Sequence, residues 1–452
     1  MATLRDRIST VVLVVMENRS FDHMLGHLAL EGLVKGVDGL TQPLSRYQNL
    51  YAGDAYQPFP KTDALLDSDL PHEWDEVQVQ LARSEVSQRF TMSGFVEAYA
   101  RFRNRPDVGP LPDPMGYFAS GQVPVTSFLA RTFKTCDRWF SPLPTSTQPN
   151  RCMAWCGASP IHDTRTRLIG GGTVLDWLEQ AKVRWRVYHD GLSFFALFGS
   201  AWGHVLGDGF RDYEALFRDL AADPSAEDPQ VVIVEPTYQD APHIGSDRPN
   251  DNHAPLAIGW GEEFLRRTYQ AVRANPRRWA RTLMVVYYDE HGGFFDHVPP
   301  PAIGYSTRED QPHAFASTGP RVPGIVISPL VAPGSVCSAL LDHTSVLQLL
   351  AELFTPGQDY GDDVAARRLQ GVASLSVALD DVQRSDSAPP PAQAIPVQTV
   401  LGRSLAAPPI SGMQAAFEGA ALELIRQEPG RLAQKYPELL HWKSAMEAAR
   451  GG

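Results

Sequence analysis

Apolar runs of four to eight residues, rich in Val and Ile, recur along the chain and alternate with amphipathic stretches. Runs that are apolar throughout, rather than at every second position, read as strands covered on both faces. The pattern predicts strands at Thr10–Met16, 183–188, Val231–Val234, 283–288 and 322–328, and helices at Val174–Gln180, 261–275, Thr344–Phe354 and 413–427. Strands alternating with helices predict an α/β fold built on a mostly parallel sheet with helices on both faces. The segment from about 36 to 124 breaks the pattern. It is rich in Pro, Asp, Gly and aromatics and has no clean period, so it reads as a long insertion over one rim of the sheet. Loops of that length in a compact domain are usually functional. Its Tyr, Trp and Phe residues either line an apolar entrance or build core. The expected organisation is one catalytic domain over 1–382, then a segment over 383–452. That segment comprises a proline-rich linker (SDSAPPPAQAIP, 385–396) and a terminal helix that docks back on the core.

Composition narrows the class. Of 452 residues, 43% are hydrophobic and 20% charged, the balance of a soluble globular enzyme with a substantial core. The formal net charge of −12 argues against nucleic acid or a broad anionic membrane surface as partner, while leaving room for a pocket that holds one phosphate. Four cysteines without a CxxC pair read as buried free thiols, Cys152 and Cys156 being one helical turn apart. No run approaches the roughly 18 apolar residues of a transmembrane helix, and 10–16 is about half a signal-peptide core. As written, the chain reads as soluble and cytoplasmic.

Four constellations carry chemistry. In VVLVVMENRSFDHMLG, a buried strand runs into Glu17 and Asn18, two hard oxygen donors at the carboxyl end of a strand, where α/β sheets bind ligands. The plainer alternative is that both cap the next turn. In PTSTQPNRCMAWCG, Thr147 precedes Pro149 at the start of a helix, where the dipole favours a phosphoryl group. Arg151 could add a guanidinium to the phosphate oxygens, and Ser146 or Thr147 could equally be a helix cap. In LMVVYYDEHGGFFDHVPPP, a strand ends in Asp289 and Glu290, adjacent carboxylates that call for a cation or a shared proton. A solvated turn competes. His291, Asp296 and His297 are candidates for orienting the metal ligands. In PNDNHAP, His253 could protonate a leaving alkoxide and Asp251 could orient it or cap a helix. His72 in LPHEWDE raises the same question, whereas His343 reads as structural.

The ordered set ENRSFDH, STQPNR, NDNH and YDEHGGFFDHVPPP, with CDRWF at 136–140 and RVPGIVISP at 321–329, closely resembles the phosphoesterase family of bacterial phospholipases C, acid phosphatases and plant non-specific phospholipases C. The resemblance implies an alkaline-phosphatase-like fold and a divalent metal ion (Zn, Mg, Ca or Mn) at the carboxyl edge of the sheet. It places Thr147 as nucleophile, with Glu17, Asn18, Thr147, Asp289 and Glu290 as metal ligands. His253 and His72 surround the phosphate, and Asn18 and Arg151 bind it. Some family members carry two aspartates where this chain has Asp289-Glu290, and family members are commonly secreted. The expected reaction is hydrolysis of a phosphate ester, a phospholipid or its head group, through a phospho-threonine intermediate. A phospholipase C-like diesterase is preferred to an acid phosphatase acting on monoesters. A non-catalytic lipid- or metal-binding module is a third reading, which retention of every site residue disfavours.

Overall fold

The computed structural model describes residues 3–450 apart from 62–65, 67–68, 105–106, 243–248, 310–311, 386–388 and 392–410. Its core is one sheet of eight strands: β1 Thr10–Met16, β2 Lys134–Cys136, β3 Trp185–His189, β4 Phe210–Asp212, β5 Val231–Val234, β6 Thr282–Tyr288, β7 Gly324–Ile327 and β8 Ser335–Cys337. Their spatial order is β8-β2-β7-β6-β1-β5-β3-β4. The sheet is mostly parallel, as the apolar pattern predicts, but β7 runs antiparallel to both β6 and β2. Every residue of β1 and β6 is buried, so both faces of the central strands are covered. The helices Pro124–Thr132 and Gly259–Arg273 pack together in one layer, and Thr147–Cys156 and Thr344–Phe354 in another.

The register of the central pair decides what happens at its carboxyl end. β1 and β6 run in parallel from Thr10 beside Thr282 to Met16 beside Tyr288. Glu17 and Asp289 therefore leave the sheet side by side. The Asp289 N–H donates to the Met16 carbonyl at 3.1 Å and the Asn18 N–H to Asp289 Oδ1 at 3.0 Å.

Three strands escape the sequence pattern because they are only three residues long: Lys134–Cys136, Phe210–Asp212 and Ser335–Cys337. The 36–124 segment is more ordered than its composition suggests. It holds the helices Trp74–Leu81 and Phe95–Arg103, which share a small core of Leu40, Val77, Leu81, Phe95 and Val96 with Phe295 from the segment after β6. Phe95 and Tyr117 are buried in that core.

Beyond the sheet, the chain ends in three helices, Gly412–Gln427, Pro429–Lys435 and Pro437–Arg450, where the sequence predicts one. The first buries Met413, Ala416, Phe417, Ala420, Ala421 and Leu424, one stripe at helical spacing. Residues 386–388 and 392–396 of the proline-rich stretch lie outside the described residues. No helix among those described is long and apolar enough to cross a membrane.

Candidate active site

Glu17 and Asn18 follow β1 directly, and Asn18 adopts a positive φ of 53°, sparsely populated for a residue with a Cβ. Gly292 explains how the two loops fit. A Cβ there would stand 2.1 Å from the Asn18 carbonyl, and its φ of +62° suits only glycine comfortably. The Asn18 turn and the Glu290–Gly292 turn thus lock together, with the Arg19 N–H donating to the Glu290 carbonyl at 3.0 Å.

Thr147 is the first residue of its helix and is fully buried. Its hydroxyl donates to Asn18 Oδ1 at 3.3 Å. Ser146 occupies the N-cap position without a capping bond, because its hydroxyl accepts from the Thr164 hydroxyl at 2.9 Å instead. Asn18 Nδ2 lies 2.9 Å from His253 Nε2 and 3.4 Å from His72 Nε2. One amide therefore lies between the hydroxyl and two imidazoles, and its Nδ2 can donate only to a ring nitrogen that carries no proton.

The loop carrying His253 is pinned from both sides. Asp251 accepts the His253 N–H at 3.1 Å and the Gln239 N–H at 2.6 Å, and its carbonyl accepts the Glu17 N–H at 2.9 Å. Asp251 thus shapes the loop and does not cap the following helix. Burial alone would drive the His253 ring toward neutrality. Asp69, then Asp240 and Glu17, outweigh it and raise the imidazole well above its usual value. His72 is held at about 9, burial being outweighed by Glu290, Asp69 and Glu73. Two cationic rings beside a buried hydroxyl suit an anionic phosphate.

Arg151 sits elsewhere than its helical position suggests. The sequence reading put it on phosphate oxygens, but its guanidinium donates to Glu17 Oε1 at 2.7 Å and Asp289 Oδ2 at 3.1 Å. It lies against the rings of Phe194 and Tyr238, 5.1 and 5.5 Å from their centroids. Sheet neighbours and not the helix start decide its place, and its charge goes to offsetting buried carboxylates. His297 is also displaced from its expected role. It bonds Asp22 at 2.7 Å and Asp38 at 3.2 Å beside Arg321 and touches none of the expected metal ligands. His291 does reach them: Nδ1 is 3.2 Å from Glu290 Oε2, while Nε2 is held by Gln80 Oε1 at 2.7 Å. His343 bonds the Asp289 carbonyl at 2.7 Å and the Trp139 indole at 3.2 Å, a structural post.

Among the described residues, two groups of Asp and His side chains bring ligand atoms within 4.8 Å of one another and could hold a divalent cation: Asp69, His72 and His253, and Asp22, Asp296 and His297. The second is already bridged by Arg321, 2.8 Å from Asp296 and 3.1 Å from Asp22, and reads as a salt-bridge network. The carboxylates of Glu17, Asp289 and Glu290 form no such tight group, since Arg151 engages two of them and the Gly292 N–H holds Glu290 Oε2 at 2.6 Å. They nonetheless fit a hard cation. Glu290 Oε1 is buried without a hydrogen bond, and of the three buried carboxylates only Glu17 and Asp289 pair with the Arg151 guanidinium. Burial, then the Asp289 charge, push Glu17 well above the usual carboxylate range. Burial, opposed by Arg151, also raises Asp289.

Sequence reasoning passed over Asp69 and Asp240. Asp69 Oδ2 is 3.4 Å from His253 Nε2, and Asp240 Oδ2 is 3.4 Å from His253 Nδ1. Asp240 follows the apolar run of β5 by six residues, so the strand-end rule could have found it; nothing marks Asp69 among the acidic residues around it.

The model of the phosphoesterase family matches residues 8–355, which hold every residue of this site. The chain belongs to the phosphoesterase family. Non-specific phospholipase C3 of Arabidopsis thaliana is 31% identical over 377 residues, covering 77% of this chain and 69% of that protein. The hemolytic phospholipase C of Pseudomonas aeruginosa is 29% identical over 446 residues, 85% of this chain and 59% of that protein. The non-hemolytic phospholipase C of Burkholderia pseudomallei is 26% identical over 414 residues, 78% and 56%. The protein is accordingly a phosphoric ester hydrolase, and the candidate site of this phosphoesterase lies at the carboxyl edge of β1 and β6.

Proposed function

We propose that this phosphoesterase cleaves phosphodiesters of the phosphatidylcholine or phosphocholine-ester class, in the manner of a phospholipase C, with Thr147 as nucleophile. The observation that carries the reading is the Thr147 hydroxyl, buried at a helix start, linked through Asn18 to His253 and His72. That the similar proteins are named phospholipases C supports the lipid-type diester.

Thr147 Oγ1, its proton lost to water, attacks phosphorus, and the bond to the diacylglycerol oxygen breaks with its electron pair leaving on that oxygen. His253, held cationic by its carboxylate neighbours, gives the departing oxygen its Nε2 proton. His72 and the helix N-terminus offset the charge on the phosphoryl oxygens. A divalent cation held by Glu17, Asn18, Thr147, Asp289 and Glu290 would supply Lewis-acid activation of the hydroxyl and further charge compensation. Water then attacks the phospho-threonine, giving a proton to the now neutral His253; the phosphorus–Oγ1 bond breaks, phosphocholine leaves, and Thr147 Oγ1 regains a proton from solvent.

Thr147→Ala is expected to lower turnover of p-nitrophenylphosphorylcholine at least about a thousandfold, as loss of a covalent nucleophile does. Near-wild-type turnover by that variant refutes the nucleophile. Hydrolysis of p-nitrophenyl phosphate alone, with phosphatidylcholine and the choline ester untouched, refutes the diester reading in favour of a phosphomonoesterase.

A further inference from the structure

The helix Gly412–Gln427 lies beyond the 8–355 region matched by the family, yet it reaches the site. Phe417 stacks on Tyr238 with ring centroids 5.7 Å apart and meets Phe194 edge-on at 5.9 Å. These are the two rings that flank the Arg151 guanidinium. One residue before the helix, the Ser411 hydroxyl accepts the Gln414 N–H at 2.9 Å as the N-cap. Its single proton goes to Asp240 Oδ1 at 2.7 Å.

The other oxygen of Asp240 stands 3.4 Å from His253 Nδ1, a buried nitrogen that makes no hydrogen bond. The competing carboxylates are less available. Glu17 Oε2 is 3.7 Å away, and both oxygens of Asp251 take backbone N–H groups. The opposite nitrogen, Nε2, faces Asn18 and through it Thr147. The imidazole therefore spans from Asp240 to the reacting hydroxyl. Long contacts of this kind in a resting enzyme tighten when the transition state forms.

We propose that Asp240 is a positioning residue for His253, and that Ser411 fixes Asp240, so that the C-terminal helical segment completes the active site. The proposal rests on the reading of His253 as the acid for the leaving group. When Nε2 delivers its proton, the phosphorus–oxygen bond breaks toward the leaving oxygen and the ring becomes neutral. It keeps its Nδ1 proton directed at Asp240, and the 3.4 Å contact closes to a hydrogen bond as the transition state forms. Rotation of Asp240 lets the ring swing, and a misplacement on the order of 1 Å is enough to cost about a hundredfold in rate.

The test separates helix capping from positioning. Ser411→Asp keeps a good N-cap acceptor but removes the donor and sets a negative charge against Asp240. Ser411→Ala removes both functions, and Ser411→Thr keeps both. kcat and KM are measured on two phosphorylcholine esters: p-nitrophenyl, whose phenolate leaves with little protonation, and soluble dihexanoylphosphatidylcholine, whose alkoxide needs a proton. Ser411→Asp, Ser411→Ala and Asp240→Asn are expected to lower kcat on the lipid about tenfold or more, and on the p-nitrophenyl ester by less than about threefold. KM stays within about twofold, and Ser411→Thr restores kcat.

His253→Ala is the reference. If it shows no such dependence on the leaving group, the acid reading and the proposal fall together. If it does, while Ser411→Asp and Asp240→Asn affect the two esters equally or not at all, the positioning role is overturned and the acid reading stands. Full activity in Ser411→Asp with loss in Ser411→Ala assigns Ser411 to capping alone and likewise overturns the proposal.

Discussion

Replacing Arg321 by methionine, which keeps much of the volume and none of the charge, tests a buried network that the site itself does not touch. Arg321 is fully buried and donates to Asp296 Oδ1 at 2.8 Å, Asp22 Oδ1 at 3.1 Å, and the carbonyls of Asp38 and Asp137 at 2.6 and 2.9 Å. Its guanidinium lies over the Phe21 ring, 4.4 Å from the centroid. Removing one partner of a buried ion pair costs ~3–5 kcal/mol because the other charge stays buried and bare. Two carboxylates are bared here, but the cost does not double. Asp22 keeps His297 at 2.7 Å, and Asp296 keeps the N–H groups of Asp22 and Val298 at 3.1 and 2.9 Å. The expected loss is therefore about 4 kcal/mol, a large share of the 5–15 kcal/mol that holds typical domains. Urea unfolding at pH 7.5, followed by tryptophan fluorescence, measures it. The double variant Asp296→Asn, Arg321→Met removes one stranded charge and is expected to recover about 1–2 kcal/mol. A loss below about 1 kcal/mol in the single variant, or no recovery in the double, refutes the reasoning.

Two further outcomes follow from the geometry. Gly292→Ala forces a Cβ against the Asn18 carbonyl at a φ that favours glycine, so turnover is expected to fall on the order of a hundredfold and the melting temperature to drop as well; unchanged kcat and melting temperature count against the locked turns. His297 is held at about 10, burial being outweighed by Asp22 and the hydrogen bonds to Asp22 and Asp38. Its folded value exceeds the unfolded one, so its stabilisation is fully present below about pH 6.5 and is lost as pH rises toward 10. Urea midpoints should fall across that window more steeply for the wild type than for His297→Gln; parallel curves would contradict the assignment.

The strand ends were legible because chemistry and pattern coincide there: two seven-residue apolar runs, each closed by acidic residues. The hydroxyl of Thr147 was ambiguous, since a helix cap and a nucleophile favour the same position. The structure puts Ser146 at the N-cap position and directs the Thr147 hydroxyl to Asn18, an arrangement compatible with the proposed nucleophile. Arg151 and His297 misled for one reason. Their neighbours along the chain point to the phosphate and the metal, but their partners come from other elements: Glu17 and Asp289 for one, Asp22 and Asp38 for the other. Charge pairing at long sequence separation leaves no local trace. The same holds for Asp69 and Asp240, visible only once His253 has been placed between them.

The position of β1 in the sheet has a consequence for synthesis. Thr10–Met16 is made before either of its sheet neighbours, Val231–Val234 and Thr282–Tyr288, which come far later in the chain. Until those two segments have been made, a wholly apolar strand with two open edges waits unpaired. Such segments are the ones that self-associate, and pairings this distant in sequence form slowly. Glu17 and Asn18 wait with it, so a truncated nascent chain carries an aggregation hazard and no assembled catalytic site. Shielding of Thr10–Met16, by a chaperone or by early collapse onto the 124–156 helices, becomes a requirement of producing this enzyme.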